Sequence, residues 1–213
     1  WWIKLKPFLE SKDFEIIWNK IKEYGTKGKV VYPYSKLLKE QYNDIENTIF
    51  KPFLIDFSKI EVVIFSELTS AFTQKHTLGN ILNEDYYNAV EKSIYGGLHI
   101  NMIKDNDFDY LKDQGVFILG NSLTSEVDKS HYIIWEPFMK EVFKFINEYN
   151  KGLHIVLLGG NTHGYYKYIN EKQHYLYKSS INYDNYDMFS IIIDRLHSNQ
   201  DKHINFTKET TPF

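Results

Sequence analysis

The chain has 213 residues, a formal net charge of −3 at pH 7 and no cysteine. This charge excludes a strongly basic, histone-like protein, although a local basic face is compatible with it. The lack of cysteine excludes disulfides, zinc fingers and thiol catalysis and fits a reducing cytoplasm, where we expect the protein. The eight histidines lack metal-ligand spacing, and no segment resembles a signal peptide or membrane span. We therefore expect no metal, no cofactor and no membrane partner.

The predicted helices and strands alternate along the chain. Apolar residues at helical spacing predict an amphipathic helix over 8–24. This alternation predicts one α/β domain over 1–213, a three-layer α/β/α sandwich around a central four-stranded, mostly parallel sheet. The other predicted elements are a short helix from Ser35, a strand at 60–65, a helix at 84–97, a strand at 115–119, a helix at 131–152, a strand from 153, a helix at 165–172, a strand from 174 and a helix at 188–200.

The loops that follow the four predicted strands belong to one edge of such a sheet. They comprise residues 66–72, 120–124, 159–163 and 178–187. Open α/β sheets bind their ligands outside the carboxyl ends of the strands. We therefore expect the functional site at this edge.

Five segments stand in the order and at the separations of the motifs of a known family. "DYLKDQGVFILGNSLT" is similar to W-A-x-Q-G-V-L-L-L-N-x-x-L-T, and "GKVVYPYSKLLKEQY" to G-x-x-Y-P-P-x-x-x-x-F. "WEPFMKEVFKFINEYNKGLHIVLLGGN" matches W-x-x-F-x-x-x-V followed by G-L-V-F-L-L-W-G. "IEVVIFSELTSA" stands at V-x-V-V-I-L-G-Q-D-P-Y-H, and "HYLYKSSINYD" at H-x-V-L-x-x-x-H-P-S-P-L-S. Over nearly its whole length the chain thus resembles the uracil-DNA glycosylases, which implies their fold.

The side chains that carry the family's chemistry are replaced in this sequence. By the resemblance, Leu68 stands at the aspartate that positions water and stabilises the cationic sugar. Ser70 stands at the tyrosine that excludes C5-substituted bases, and Gly120 at the asparagine that reads the uracil edge. Ser180 falls near the histidine that stabilises the departing uracil anion, and Asn80 or Ile81 near the stacking phenylalanine. The side chains that the standard uracil-excision mechanism requires are therefore replaced at these positions.

Two of these replacements remove volume from the base pocket that the resemblance implies. A pocket with Ser70 and Gly120 no longer rejects a pyrimidine with a large 5-substituent. This favours a DNA glycosylase for a bulky modified base, such as a glycosylated 5-hydroxymethylcytosine of phage DNA, acting in anti-phage defence. The residues expected to line the pocket are Ser66, Leu68, Ser70, Asn80, Gly120 and Asn121.

Glu67 is the candidate for the carboxylate of this reaction. It lies beside Leu68, and other branches of the superfamily carry G-E-x-P-G at this loop, with glutamate at the matching place. The carboxylate would stabilise an oxocarbenium-like sugar and orient water after the nucleotide has flipped out of the duplex. Asp184 and Asp187 are the substitutes, and a solvated loop carboxylate is the alternative for Glu67.

The resemblance also implies contacts with double-stranded DNA, which a monomer would bind. The turn at 159–161 stands at the family's phosphate-contacting turn, and the last loop would enter the minor groove with Tyr183 or Tyr186 as its wedge. The expected DNA-contacting residues are Gly160, Asn161, Lys178, Ser180, Asn182 and Tyr183.

The sequence leaves two functions open. The scaffold could instead be a DNA- or protein-binding module without catalysis, which the mild negative charge and the replaced catalytic groups support. An open pocket lined by Ser70, Gly120 and Asn121 would favour the enzyme. A pocket filled by neighbouring side chains would favour the binding module.

Overall fold

A four-stranded parallel sheet forms the centre of the computed structural model, which describes residues 2–26, 50–67, 109–126, 129–180, 187–200 and 202–206. Its strands lie in the order β2-β1-β3-β4, and each neighbouring pair is parallel. The strands are β1 (Val62–Ser66), β2 (Val116–Gly120), β3 (His154–Leu158) and β4 (Tyr175–Ser179). The first three are buried along their whole length, as expected of a parallel sheet covered on both faces.

Helices surround this sheet in the described part of the chain. The α-helices are α1 (Trp2–Leu9), α2 (Lys12–Thr26), α3 (Asp109–Asp113), α4 (Tyr132–Tyr149), α5 (Gly160–His163) and α6 (Met188–Gln200). Short 3-10 helices occupy Lys51–Leu54, Phe57–Lys59 and Gly164–Tyr168. Among the described residues, no helix combines the length and the hydropathy of a membrane span.

Each face of the sheet packs against its own hydrophobic layer. Val63 and Phe65 of β1 point to the face covered by α1, α2 and α4, whereas Val62 and Ile64 point to the face covered by α3, α6 and residues 204–206. Side chains alternate between faces along a strand, so one apolar run serves both layers. The predicted three-layer α/β/α architecture with a parallel four-stranded sheet is confirmed.

Two predicted helices have the wrong bounds. The helix predicted over 8–24 is divided at Ser11, whose hydroxyl donates to the Phe8 carbonyl (2.6 Å) and accepts from the Phe14 N–H (3.2 Å). This N-cap starts a new helix within one continuous apolar pattern. The helix predicted over 165–172 is instead the 3-10 helix Gly164–Tyr168, which follows α5 directly. The helices predicted from Ser35 and over 84–97 lie outside the described residues.

Gly115 forms the turn that starts β2, and its conformation requires glycine. Its φ is +89°, and a Cβ there would lie 2.2 Å from the Lys59 carbonyl oxygen. We expect Gly115→Ala to lower the free energy of unfolding by about 2 kcal/mol, because both the backbone strain and the clash must be relieved. Urea unfolding measures this change. Gly164→Ala is the matched control, since Gly164 has φ −62° and no atom near the added methyl group; equal losses in both variants would contradict the prediction.

Candidate active site

Four strand ends meet at one edge of the sheet, as the sequence predicts. The first residues beyond the strands remain tied to their neighbours by backbone hydrogen bonds, so the exit loops start side by side. These bonds run from the N–H groups of Asn121, Glu67 and Gly159 to the carbonyls of Ser66 (2.8 Å), Leu158 (2.8 Å) and Ser179 (3.0 Å), respectively. Glu67, Asn121 and Gly159 are thereby brought to the same edge.

The Glu67 carboxylate is held by the turn after β3. Its Oε2 accepts a hydrogen bond from the Asn161 backbone N–H (3.2 Å), and its Oε1 accepts one from the Asn161 side-chain amide Nδ2 (2.5 Å). Glu67 is half-buried, whereas Asn161 is exposed. The proposed catalytic residue and a predicted DNA contact are therefore partners of each other.

Gly159 makes room for this carboxylate. Its φ is +89°, and a Cβ at this position would lie 2.5 Å from Glu67 Oε2 and 2.7 Å from Glu67 Cβ. Only a residue without a side chain combines this backbone conformation with so close an approach. Gly159 thus accommodates the Glu67 carboxylate. The sequence alone places this glycine only in a turn expected to contact phosphate.

The loop after β2 rests on a buried polar network. The Thr124 hydroxyl accepts a hydrogen bond from Trp135 Nε1 (2.8 Å) and lies 2.9 Å from His131 Nδ1, while Ser122 Oγ donates to the Thr124 carbonyl (2.6 Å). Thr124, Ser122 and His131 are buried. Sequence reasoning missed this network, because its members are separated in the chain and only the fold brings them together. It fixes the loop that carries Asn121.

A buried tyrosine lies behind the strand that ends at the site. The ring of Tyr165 packs edge-on against Phe65 with a centroid distance of 4.8 Å. Burial raises the pKa of Tyr165 above its usual range, because the phenolate would lose its hydration there. Tyr165 therefore stays neutral and is unsuited to act as a base.

Comparison with known proteins finds that the chain is similar in sequence to several uracil-DNA glycosylases. A uracil-DNA glycosylase of Borrelia turicatae is 28% identical over 189 residues, which cover 84% of this chain and 81% of the relative. One from Fusobacterium nucleatum is 24% identical over 180 residues, covering 76% and 78%. A uracil-DNA glycosylase of Buchnera aphidicola is 41% identical over 66 residues, 30% of either chain. No family model matches the chain.

Comparison of the fold with solved structures also finds uracil-DNA glycosylases. The crystal structure of mimivirus uracil-DNA glycosylase superposes with a TM-score of 0.65 at 18% identity, covering 95% of this chain and 84% of the viral one. A variant of that protein in complex with UGI reaches a TM-score of 0.72 at 19% identity, with 95% and 86% covered. In sequence and in fold the chain thus resembles the uracil-DNA glycosylase superfamily, which confirms the resemblance predicted from its motifs.

Three of the residues predicted to line the base pocket lie close to Glu67 at the carboxyl edge of the sheet. Ser66, Gly120 and Asn121 are all buried at the edge of the sheet, and Gly120 pairs with Ser66 across the two strands. The predicted site residues outside the described part of the chain are Leu68, Ser70, Asn80, Asn182, Tyr183, Asp184 and Tyr186. The pocket itself therefore stays a prediction.

The predicted DNA-facing residues around β4 have different surroundings. Lys178 is exposed, and its Nζ lies 4.4 Å from the ring centroid of Tyr166, which is itself exposed. Gly160 is exposed and Ser180 is half-buried. Asp187 is exposed at the start of α6, where its carbonyl accepts from the Ile191 N–H (3.0 Å). The β4 side of the candidate site thus carries the Lys178 ammonium beside the aromatic ring of Tyr166.

A separate surface cavity of about 380 Å³ lies at the other end of the sheet. It is lined by the C-terminal half of α4 and the segment before β4, including Lys140, Asn147 and Tyr168. The carboxyl ends of the strands do not contribute to it. This cavity is therefore distinct from the predicted base pocket.

Proposed function

We propose that this protein is a DNA glycosylase that hydrolyses the N-glycosidic bond of a bulky modified pyrimidine. Similarity to uracil-DNA glycosylases in sequence and fold supports the reaction class. The observation that carries the proposal is the placement of the Glu67 carboxylate at the carboxyl edge of the sheet, beside the buried loop of Gly120 and Asn121. Ligands of open α/β sheets bind at this edge.

The proposed mechanism begins with a nucleotide flipped out of double-stranded DNA by one protein molecule. The C1′–N bond then breaks, and its electron pair leaves with the base. Glu67 stabilises the positive charge that develops on the sugar and orients the water that adds to C1′. The proton of that water passes to Glu67 and from there, through solvent, to the departed base anion, so the products are the neutral base and an abasic site.

The proposed substrate follows from the side chains at the pocket. Gly120 and Ser70 are smaller than the asparagine and the tyrosine that the resemblance places at these positions, and smaller side chains would admit a large 5-substituent. A glycosylated 5-hydroxymethylcytosine of phage DNA has this shape, and its removal would serve anti-phage defence. In this proposal Asn121 reads the base edge or a hydroxyl of the attached sugar.

Base release from defined duplexes tests the proposal. Duplexes carrying uracil, 5-hydroxymethylcytosine or its glucosylated form are incubated with the protein, and abasic sites are detected by alkaline cleavage. We expect cleavage of the glucosylated duplex alone. Uracil release would instead indicate the superfamily's standard substrate. No release from any duplex, with DNA binding intact, would support the alternative of a binding module without catalysis.

Lys178 is expected to contact the phosphate backbone next to the flipped nucleotide. Its exposed ammonium lies beside the ring of Tyr166, on which a base could stack. Lys178→Ala should weaken DNA binding and lower the slope of log K against log salt concentration by about 1. Fluorescence anisotropy at several salt concentrations measures both quantities. Lys172→Ala, an exposed lysine before the amino end of β4, is the matched control; a similar effect of both substitutions would indicate nonspecific attraction.

A further inference from the structure

We propose that Asn161 is a positioning residue for the Glu67 carboxylate and that it does not contact a DNA phosphate. The family resemblance assigns the turn after β3 to phosphate binding, whereas the structure places a carboxylate of the protein itself on that turn. The catalytic consequence rests on the proposed function of Glu67. The assignment of the turn rests on the geometry alone.

Asn161 holds both oxygens of the carboxylate. Its backbone N–H donates to Oε2 and its side-chain amide donates to Oε1, at 3.2 and 2.5 Å. Two donors on two oxygens restrict both the position and the plane of a carboxylate. A group that must face a developing charge reacts best when its orientation is already fixed. Asn161 thus orients the Glu67 carboxylate from a neighbouring loop of the same edge.

The same contact is unfavourable for phosphate binding. An oxygen of the DNA backbone would have to replace Glu67 at the Asn161 N–H, or approach it against the negative charge of the carboxylate. Gly159 strengthens this arrangement, because its missing side chain lets the carboxylate lie 2.5 Å from where a Cβ would be. The backbone of the turn is therefore shaped around Glu67.

Asn161→Ala tests the inference with two independent readouts. The rate of base release in a single turnover should fall by about 10- to 100-fold, because the carboxylate loses its fixed orientation. The dissociation constant for DNA and its salt dependence should stay unchanged. Asn161→Asp should lower the rate at least as far, since it places a second carboxylate against Glu67. Asn19→Ala, which truncates an exposed asparagine of α2, is the matched control and should alter neither quantity.

The opposite pattern would overturn the inference. If Asn161→Ala weakens DNA binding and leaves the single-turnover rate unchanged, Asn161 contacts phosphate. Loss of folding in this variant would be visible in its thermal unfolding, and Asn161→Ser would then replace it in both measurements. If the unsubstituted protein releases no base from any duplex, the proposed function and the positioning role in catalysis are both rejected. In that case an unchanged DNA affinity of Asn161→Ala still supports, and a weakened affinity rejects, the assignment of the turn to Glu67.

Discussion

Glu67→Gln is expected to lower the rate of base release by a factor of about 10²–10⁴, the usual contribution of a positioned acid–base group. The amide has nearly the same shape as the carboxylate but no negative charge with which to stabilise a cationic sugar. Its NH₂ group would also face one of the two Asn161 donors that now bind Glu67 oxygens. The loss should therefore lie in the chemical step rather than in DNA binding.

Single-turnover kinetics on the modified duplex, with DNA affinity measured in parallel, separate these two effects. Glu171→Gln removes one negative charge from an exposed position before β4 and is the matched control. It should react at the rate of the unsubstituted protein. A Glu67→Gln variant that retains full activity would exclude this carboxylate and shift attention to Asp184 or Asp187.

A decrease in stability below pH 6.5 is the second large effect that we expect, and it originates at His154. This residue begins β3 and is buried. Its Nδ1 lies 2.9 Å from the hydroxyl of Tyr177, which accepts a hydrogen bond from Arg195 (3.1 Å). Burial, and secondarily the charge of Arg195, lower the pKa of His154 from 6.5 to about 4. The folded protein thus holds this imidazole neutral.

The direction of the pH dependence follows from these two pKa values. Between pH 6.5 and 4 the unfolded chain binds a proton at His154 that the folded protein does not. The stabilisation is therefore complete above pH 6.5 and is lost as the pH falls through this range, with a total of about 3 kcal/mol. Burial also lowers the pKa of His174, which adds a loss in the same direction.

Urea unfolding at pH 7.5 and pH 5 measures this effect. In His154→Gln the loss of stability between the two pH values should be smaller than in the unsubstituted protein by about 2 kcal/mol. His203→Gln, which removes an exposed histidine, should leave the loss as it is. If His154→Gln and the unsubstituted protein lose stability equally, His154 does not carry the pH dependence.

The strands and their order along the chain could be predicted because each is encoded locally. The apolar runs predict strands at 60–65 and 115–119, and the structure has β1 at Val62–Ser66 and β2 at Val116–Gly120. A short run of apolar, β-branched residues bounded by polar or glycine residues is sufficient for this. The bounds of α1 and α2 could not be predicted as well, because the N-cap of Ser11 interrupts a pattern that reads as one helix.

The contacts of the candidate site could be predicted only in part. The edge on which Glu67, Asn121 and Asn161 lie follows from the alternation of strands and helices, since parallel strands end on one side. That Glu67 is bound by Asn161 does not follow, because 94 residues separate them and each alone resembles an ordinary loop residue. The network of Thr124, His131 and Trp135 was missed for the same reason.

The sequence by itself determined the resemblance to the uracil-DNA glycosylases, the parallel sheet and the edge on which the candidate site lies, because these depend on local apolar patterns and on motifs in a fixed order. Only the tertiary structure decided the surroundings of each polar side chain. It placed the Glu67 carboxylate on the turn of Asn161 and required a residue without a side chain at position 159, next to that carboxylate. It also buried His154 against Tyr177. Hydrogen bonds and burial depend on atoms brought together from distant parts of the chain, and no local pattern records them.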